Sequence, residues 1–322
     1  VFIHHLRRKV LATCAFVFVG LLSARSSSGL EFILLSATDN RLFSVRTPLT
    51  APAAIGTVSV GTDLYELVAA SPTQLYTFDR DGNTLIIVDR SNGALFSTTH
   101  LDQDIQVSRR GFDLSPTGVL YGLLPGMQLR TIDPITGATT FIANVTGAAR
   151  VEAIAFAPDG RLYAVGSADD NASSESLYVL STSTGELTYV GRMAVTDMDA
   201  LTFGADGFLY GVDSQAGRMA HLMKIDPATA VVEDLGNTGV SEANGIVAIR
   251  EPRIIISKSG HDCLLSWPTN AVGFTLEIAR DRGATDTWFP VSLPTFVVGG
   301  LNVITNDTRD ERAFFRLVRP TP

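Results

Sequence analysis

A period of 42–47 residues constrains this chain more than any other feature. Leu-Tyr pairs recur at Leu75-Tyr76, Leu120-Tyr121, Leu162-Tyr163 and Leu209-Tyr210, at intervals of 45, 42 and 47 residues. Three of them follow a turn ending in glycine, in SPTGVLY, APDGRLY and GADGFLY, and the first follows SPTQ. A second landmark keeps the same period: DRSNG (Asp89–Gly93), DPITG (Asp133–Gly137), STSTG (Ser181–Gly185) and DPATA (Asp226–Ala230). Repetition of this length marks stacked supersecondary units that bury their faces against one another.

Each landmark has the chemistry of a β-hairpin. Aspartate opens the turn by accepting from the backbone two residues on, proline presets φ, and glycine accepts the left-handed conformation at the end. Between turns lie β-rich runs of four to seven residues, such as VEAIAFA, RLYAVGS, SLYVLS and ELTYVG, too short for helices. Each unit thus reads as four antiparallel strands, and radial stacking of such units makes a β-propeller. Units start near Tyr65, Arg110, Val151 and Met198. NGIVAIR (Asn244–Arg250) reads as a first strand without successors. EFILLSATDNRLFSVRT (Glu31–Thr47) and AIGTVSV (Ala54–Val60) read as strands lacking a first. Joined, these fragments complete a fifth blade and remove the exposed edges. The expectation is an all-β chain: a five-bladed β-propeller over residues 30–250, with blade 1 closed by residues 244–250.

The first 28 residues read as a secretory signal peptide. Arg7, Arg8 and Lys9 precede the apolar run VLATCAFVFVGLL (Val10–Leu22), which gives way to the small, polar SARSSSG. Most of that run lies on the wrong side of Cys14 for a lipidation box. Thirteen apolar residues are too few to span a bilayer comfortably, so no membrane span is expected in the mature protein. The expected address is secreted or periplasmic. Removing residues 1–28 takes four basic residues and no acids, which moves the net charge from −8 to about −12. That sign argues against nucleic acid as a partner. Of two cysteines, Cys263 alone remains, so no disulfide framework is expected, and the thiol is expected to be buried. A monomer is the expected state.

The stretch DLSPTGVLYGLLPGMQLRTIDPITGATTFI (Asp113–Ile142) resembles uncharacterised secreted bacterial propellers of the LY and D-x-x-TG repeat type, over roughly residues 60–250. The D-x-x-TG turn is also similar to the tryptophan-docking repeat of quinoproteins, which places Trp four residues after the glycine. Ser97, Phe141 and Tyr189 occupy those positions, and neither tryptophan falls in the repeat region. That departure argues against pyrroloquinoline quinone. The Gly-His and Trp-Asp pairs of WD40 repeats are also absent.

After Glu251–Arg253 the character changes. LLSWPTNAVGFTLEIAR (Leu264–Arg280) reads as two strands joined by a Pro/Asn turn; Trp288, FVVGG and AFFRLV (Ala313–Val318) supply more. Residues 253–320 are expected to form a small β-sandwich around Trp267 and Trp288. The segment resembles fibronectin-III-like C-terminal modules on exported proteins of Verrucomicrobia-like bacteria. The resemblance implies an attaching or spacing role, and a cap packed on the propeller is the alternative.

Motifs for chemistry are scarce. His100, His221 and His261 are scattered, and neither H-E-x-x-H nor G-x-S-x-G occurs. DRDGN (Asp79–Asn83) resembles the start of a calcium loop but lacks the bidentate glutamate, so an Asp-Gly turn explains it. One constellation emerges from aligning the first strands on Val68, Phe112, Ile154, Leu201 and Ile246. Two residues earlier stand Glu66, Arg110, Glu152, Asp199 and Asn244, all polar. First strands line a propeller's channel, so these five are expected to form a ring at its mouth, with Asp197 and Glu242 as an outer tier. Oxygen ligands in Glu66, Glu152, Asp199 and Asn244 suit Ca²⁺ or Mg²⁺, and Arg110 suits an anion. The alternative is that strand starts at a wet channel mouth simply tolerate charge. Two functions stand: a non-enzymatic exported propeller binding an unknown ligand or an extracellular or cell-surface partner, or a divalent-metal-dependent hydrolase, lactonase-like, or lyase at the channel mouth.

Overall fold

The computed structural model describes residues 30–104, 111–169, 174–214, 218–249, 254–259, 262–268, 274–279, 287–298, 301–307 and 313–318. Residues 1–28, expected to be a signal peptide, together with Arg110, Arg250 to Arg253 and His261, lie outside these described residues. Every regular element described is a strand.

Within residues 31–248, five four-stranded antiparallel sheets are consistent with propeller blades. Blade 1 contains β1 (Glu31–Ser36), β2 (Arg41–Arg46) and β3 (Ala53–Thr57); blade 2 contains β4 (Leu64–Ala69), β5 (Gln74–Asp79), β6 (Thr84–Asp89) and β7 (Leu95–His100). Blade 3 follows with β8 (Phe112–Leu114), β9 (Leu120–Leu124), β10 (Gln128–Ile132) and β11 (Thr139–Asn144). Blade 4 is built from β12 (Arg150–Phe156), β13 (Leu162–Ser167), β14 (Ser176–Leu180) and β15 (Leu187–Arg192). Blade 5 holds β16 (Met198–Phe203), β17 (Leu209–Asp213), β18 (Met219–Ile225) and β19 (Val232–Ser241). The next strand, β20 (Ala243–Ala248), returns to β1, pairing Phe32 with Ala248 and Leu34 with Ile246. The two ends of the repeat region therefore share one sheet. The first strands β4, β8, β12, β16 and β20 touch in cyclic order.

The inner wall is tight because its residues are small. A Cβ on Gly111 would lie 2.2 Å from the Ile154 nitrogen, and one on Gly245 would lie 2.8 Å from the Glu66 carbonyl carbon. Neighbouring first strands can approach this closely only where the side chain is missing. Ala153 and Ala200 occupy the same register position in blades 4 and 5, both fully buried. Further out, apolar clusters fill the seams. Phe78 stacks on Phe112 with ring centroids 3.7 Å apart, joining blades 2 and 3.

The D-x-x-TG turns contribute between blades as well as within them. A Cβ on Gly137 would meet the His100 carbonyl oxygen at 1.9 Å, and Gly185 faces the Asn144 oxygen in the same way. Each turn thus lies on the last strand of the preceding blade. The fifth blade inverts the arrangement: Ala230 carries the side chain at φ 60°, and the opposing strand supplies Gly191, whose Cβ would meet the Ala230 Cβ at 2.9 Å.

The C-terminal segment forms two further small sheets. One orders β21 (Ile255–Ser259), β22 (Asp262–Pro268), β26 (Leu301–Asp307) and β25 (Phe296–Val298); the other orders β24 (Phe289–Pro290), β23 (Thr275–Ala279) and β27 (Phe314–Val318). The strands β22 and β23 that flank the Pro/Asn turn fall in different sheets, not in one hairpin. Leu265, Trp267, Leu276 and Ile304 form the shared core, with half-buried Cys263 packed against it. Trp288 has a different role from Trp267: the Arg316 guanidinium covers its ring at 4.3 Å.

Candidate functional site

The register of the first strands shows why the aligned polar positions are special. Val151 pairs with Gly166 and Ala153 with Val165, so Glu152 is an extra residue in a β-bulge. Met198 pairs with Asp213 and Ala200 with Val212, which makes Asp199 the extra residue in blade 5. Asn244 falls between Ala243 and Gly245 in the same way against β1, and Glu66 with Leu67 bulges against Thr77. A bulge re-aims one side chain without breaking the strand. Sequence alignment located the position but not the bulge, because a bulge is a property of pairing. Arg110, the fifth member, lies outside the described residues.

The side chains at these positions do not form a single ring. Glu66 sits at the axis with 2% exposure and a left-handed φ of 57°. Neither of its carboxyl oxygens has a hydrogen-bond partner among the described residues. Burial first, and then the charges of Asp113 and Asp199, push its pKa well above the usual carboxylate range. Asp199 is therefore its neighbour, as expected. Glu152 turns elsewhere, to Arg150 Nε at 2.9 Å. Asn244 is half-buried in β20. The expected channel mouth is thus divided into an axial group around Glu66 and a second group toward blade 5. Among the described residues, no three His, Cys, Asp or Glu side chains are grouped as metal ligands.

Asp113 was missed by the alignment of polar positions. It lies one residue after Phe112, where the other blades carry Ala69, Ala155, Thr202 and Val247. Its Oδ2 accepts from the Phe156 amide at 2.6 Å, and Thr202 Oγ1 accepts from the Ala248 amide at 3.2 Å in the equivalent place. Both tie one first strand to the next. The signal available in sequence was a lone acid in an otherwise uncharged column.

The second group runs outward along the seam between blades 4 and 5. Glu175, 1% exposed, accepts from the Met198 amide through Oε2 at 3.1 Å, while Oε1 has no partner among the described residues. Burial, with smaller contributions from Glu152 and Asp197, pushes its carboxyl up to about 8. Asp197, expected in an outer tier, does lie here, near both Glu175 and Asp213. Glu242, the other expected member, joins blades through its backbone instead: its amide donates to the Arg218 oxygen and its carbonyl accepts from Ala37. Beyond Asp213 opens a cavity of about 430 Å³, lined by Asp213, Arg218, Met219, His221, Met223, Asp234 and Asn237.

Starts of first strands, ends of second strands and starts of third strands share one face of an antiparallel blade. Glu66, Glu152, Glu175, Asp199 and Asp213 all lie toward that face. The landmark turns, at the opposite ends of the strands, define the other face. One face of the repeat region therefore gathers five carboxyls, of which those of Glu66, Glu175 and Asp199 are buried.

No protein-family model and no curated protein matches the chain. Among solved structures, it aligns with one from the nidogen/laminin complex at 11% identity and a TM-score of 0.46, covering 69% of this chain and 99% of that one. A protein of unknown function from Bacteroides caccae aligns at 13% identity and 0.45, covering 70% and 100%. TolB from Acinetobacter baumannii aligns at 13% and 0.41, covering 89% of this chain, which spans 65% of the TolB chain. At these identities and scores, nothing about activity passes from them to this chain.

Proposed function

We propose that the chain is an exported, non-enzymatic five-bladed β-propeller with a small C-terminal β-sandwich as spacer or anchor, and that its acidic face binds a cationic ligand or partner. The observation that carries this reading is the pair of bulges at Glu152 and Asp199, strand starts that share one face with the end of β17 at Asp213. Bulged strand positions beside a site re-aim functional side chains, and burying several carboxylates together is costly without a compensating cation. The basic and apolar pattern of residues 1–28 supports export.

The test is thermal melting of the protein lacking residues 1–28 against compounds graded by charge: Ca²⁺, Mg²⁺, Mn²⁺, small amines, neutral sugars and dicarboxylates. Cations should raise the melting temperature by mass action, and Glu152→Gln with Asp199→Asn should remove the gain. Equal stabilisation by sugars or dicarboxylates, or an unchanged gain in the double variant, would overturn the reading. A gain specific to a divalent ion and lost in the double variant would favour the metal-dependent hydrolase or lyase instead.

A further inference from the structure

The cavity on blade 5 carries chemistry that the axial group lacks: polar side chains that line open space. Met219, His221 and Met223 alternate along β18, so they share one side of the sheet, while Ala220 and Leu222 between them are fully buried on the other. Asp213 stands directly opposite His221 on β17, and Asn237 stands opposite it on β19. Directly opposed residues on one face hold their Cβ atoms about 5 Å apart. Two register shifts in β19 bring Asp234 onto the same ring, with Oδ2 at 2.9 Å from His221 Nδ1. The Asp234 carboxylate can only accept from an imidazole nitrogen that carries a proton. That contact makes Nδ1–H the donor, and in the neutral ring Nε2 is then an acceptor.

We propose that this cavity binds a primary ammonium group on a short aliphatic chain. An –NH₃⁺ group presents three donors, and the cavity wall presents the Asp213 and Asp234 carboxylates, with His221 Nε2 as a third acceptor in the neutral ring. Partial burial, and then the nearby Asp197 charge, raise the Asp213 pKa, while His221 lowers it, and a bound cation would act in the same direction as His221. Met219 and Met223 offer flexible, polarisable surface to an alkyl chain. A quaternary ammonium has no donors and is held by aromatic faces, none of which lines the cavity. The exposed Arg218 disfavours a second cation at its edge and tolerates a carboxylate, so monoamines and amino acids fit better than diamines. The inference rests on reading this face as cation-binding, but it places the ligand at the rim of blade 5 and not at the axis.

Isothermal titration of the protein lacking residues 1–28 with n-butylamine and 5-aminopentanoate tests the proposal, with pentanoate and tetramethylammonium as controls. Both amines should bind saturably and the controls should not. Asp213→Asn and Asp234→Asn should each weaken the amines by about tenfold or more, the loss expected for one charge-assisted hydrogen bond. Asp159→Asn, in a turn on the opposite face, should leave binding intact, and melting curves confirm that each variant is folded. Pentanoate or tetramethylammonium binding as well as the amines would overturn the proposal, as would no binding at all. Amine binding that survives both blade 5 variants but disappears in Glu152→Gln with Asp199→Asn would also overturn it, while leaving the broader reading of the acidic face standing.

Discussion

Glu66 at the axis and Asp213 at the rim are both carboxylates near other carboxylates, yet their surroundings give them opposite uses. Glu66 is enclosed by first strands so closely packed that glycine is needed beside it, and both its oxygens are without partners among the described residues. Asp213 faces an imidazole across a strand pair and opens onto a cavity of about 430 Å³. Access distinguishes them. A carboxyl that neither water nor a ligand reaches is driven toward its neutral form, whereas one at a cavity wall can keep its charge for a cation. The acid at the axis therefore bears on stability, and the acid at the rim on binding.

Deleting residues 244–322 should break this contrast most severely. It removes β20 and opens the sheet edge beside β1, exposing the neighbourhood of Glu66 while leaving β17, β18 and β19 in sequence. Deleting 253–322 leaves that closure in place. The longer truncation should lose cooperative melting and the shorter keep it; two truncations that melt alike would mean that closure by β20 does not hold the axis together.

Gly245→Ala comes next. The added Cβ would lie 2.8 Å from the Glu66 carbonyl carbon and 3.0 Å from the Leu67 nitrogen, so backbone must move. Overpacking of this kind costs about 1–3 kcal/mol, or a fall of roughly 2–10 °C in melting temperature for a domain of this size. Amine binding at blade 5 should be unchanged. A fall in both quantities would show that axis and rim are not separate.

The pH dependence separates the buried acids from the rim more finely. A carboxyl whose folded pKa is raised holds a proton that the unfolded chain releases. For Glu175, pushed up from 4.5 to about 8, the protein should lose stability as pH rises between those values and level off above them. Glu66, also raised, adds a loss in the same direction. Glu175→Gln should flatten the melting temperature between pH 5 and 8 and raise it at pH 8 relative to the parent. An unaltered slope would mean that Glu175 is charged when folded. Asp213→Asn should have the smallest effect on melting, about 2 °C or less, because the site is only half-buried and surface changes cost about 0.5 kcal/mol. A larger drop would make Asp213 part of the scaffold.

Much of the scaffold was legible in the sequence, because hairpin turns are local. Asp133 accepts from the amides of Ile135 and Thr136, as an aspartate opening a turn should, and Gly137 takes φ 74°. The pairing of Asn244–Arg250 with Glu31–Ala37 was also legible, as two incomplete fragments with complementary gaps, and β20 does pair with β1. Alignment of the first strands picked out the column containing Glu66, Glu152, Asp199 and Asn244, since a polar residue in an apolar strand stands out at a constant offset. Ala230 shows the limit of such reading: the missing glycine is explained by Gly191, 39 positions earlier in another blade.

What these residues do was decided by tertiary structure. Equal offsets put side chains at equal register, but bulges, neighbouring charges and the width of the inner wall determine which of them meet. Glu152 found Arg150 two residues away, whereas Glu66 found Asp113 and Asp199 from other blades. Asp213, His221 and Asp234 belong to three strands, and register shifts in β19 bring them to one cavity. Period and turn chemistry are encoded over a few residues, so a linear reading recovers them. Burial and electrostatic neighbourhood depend on contacts between residues far apart in the chain, and only the folded ring brings those together.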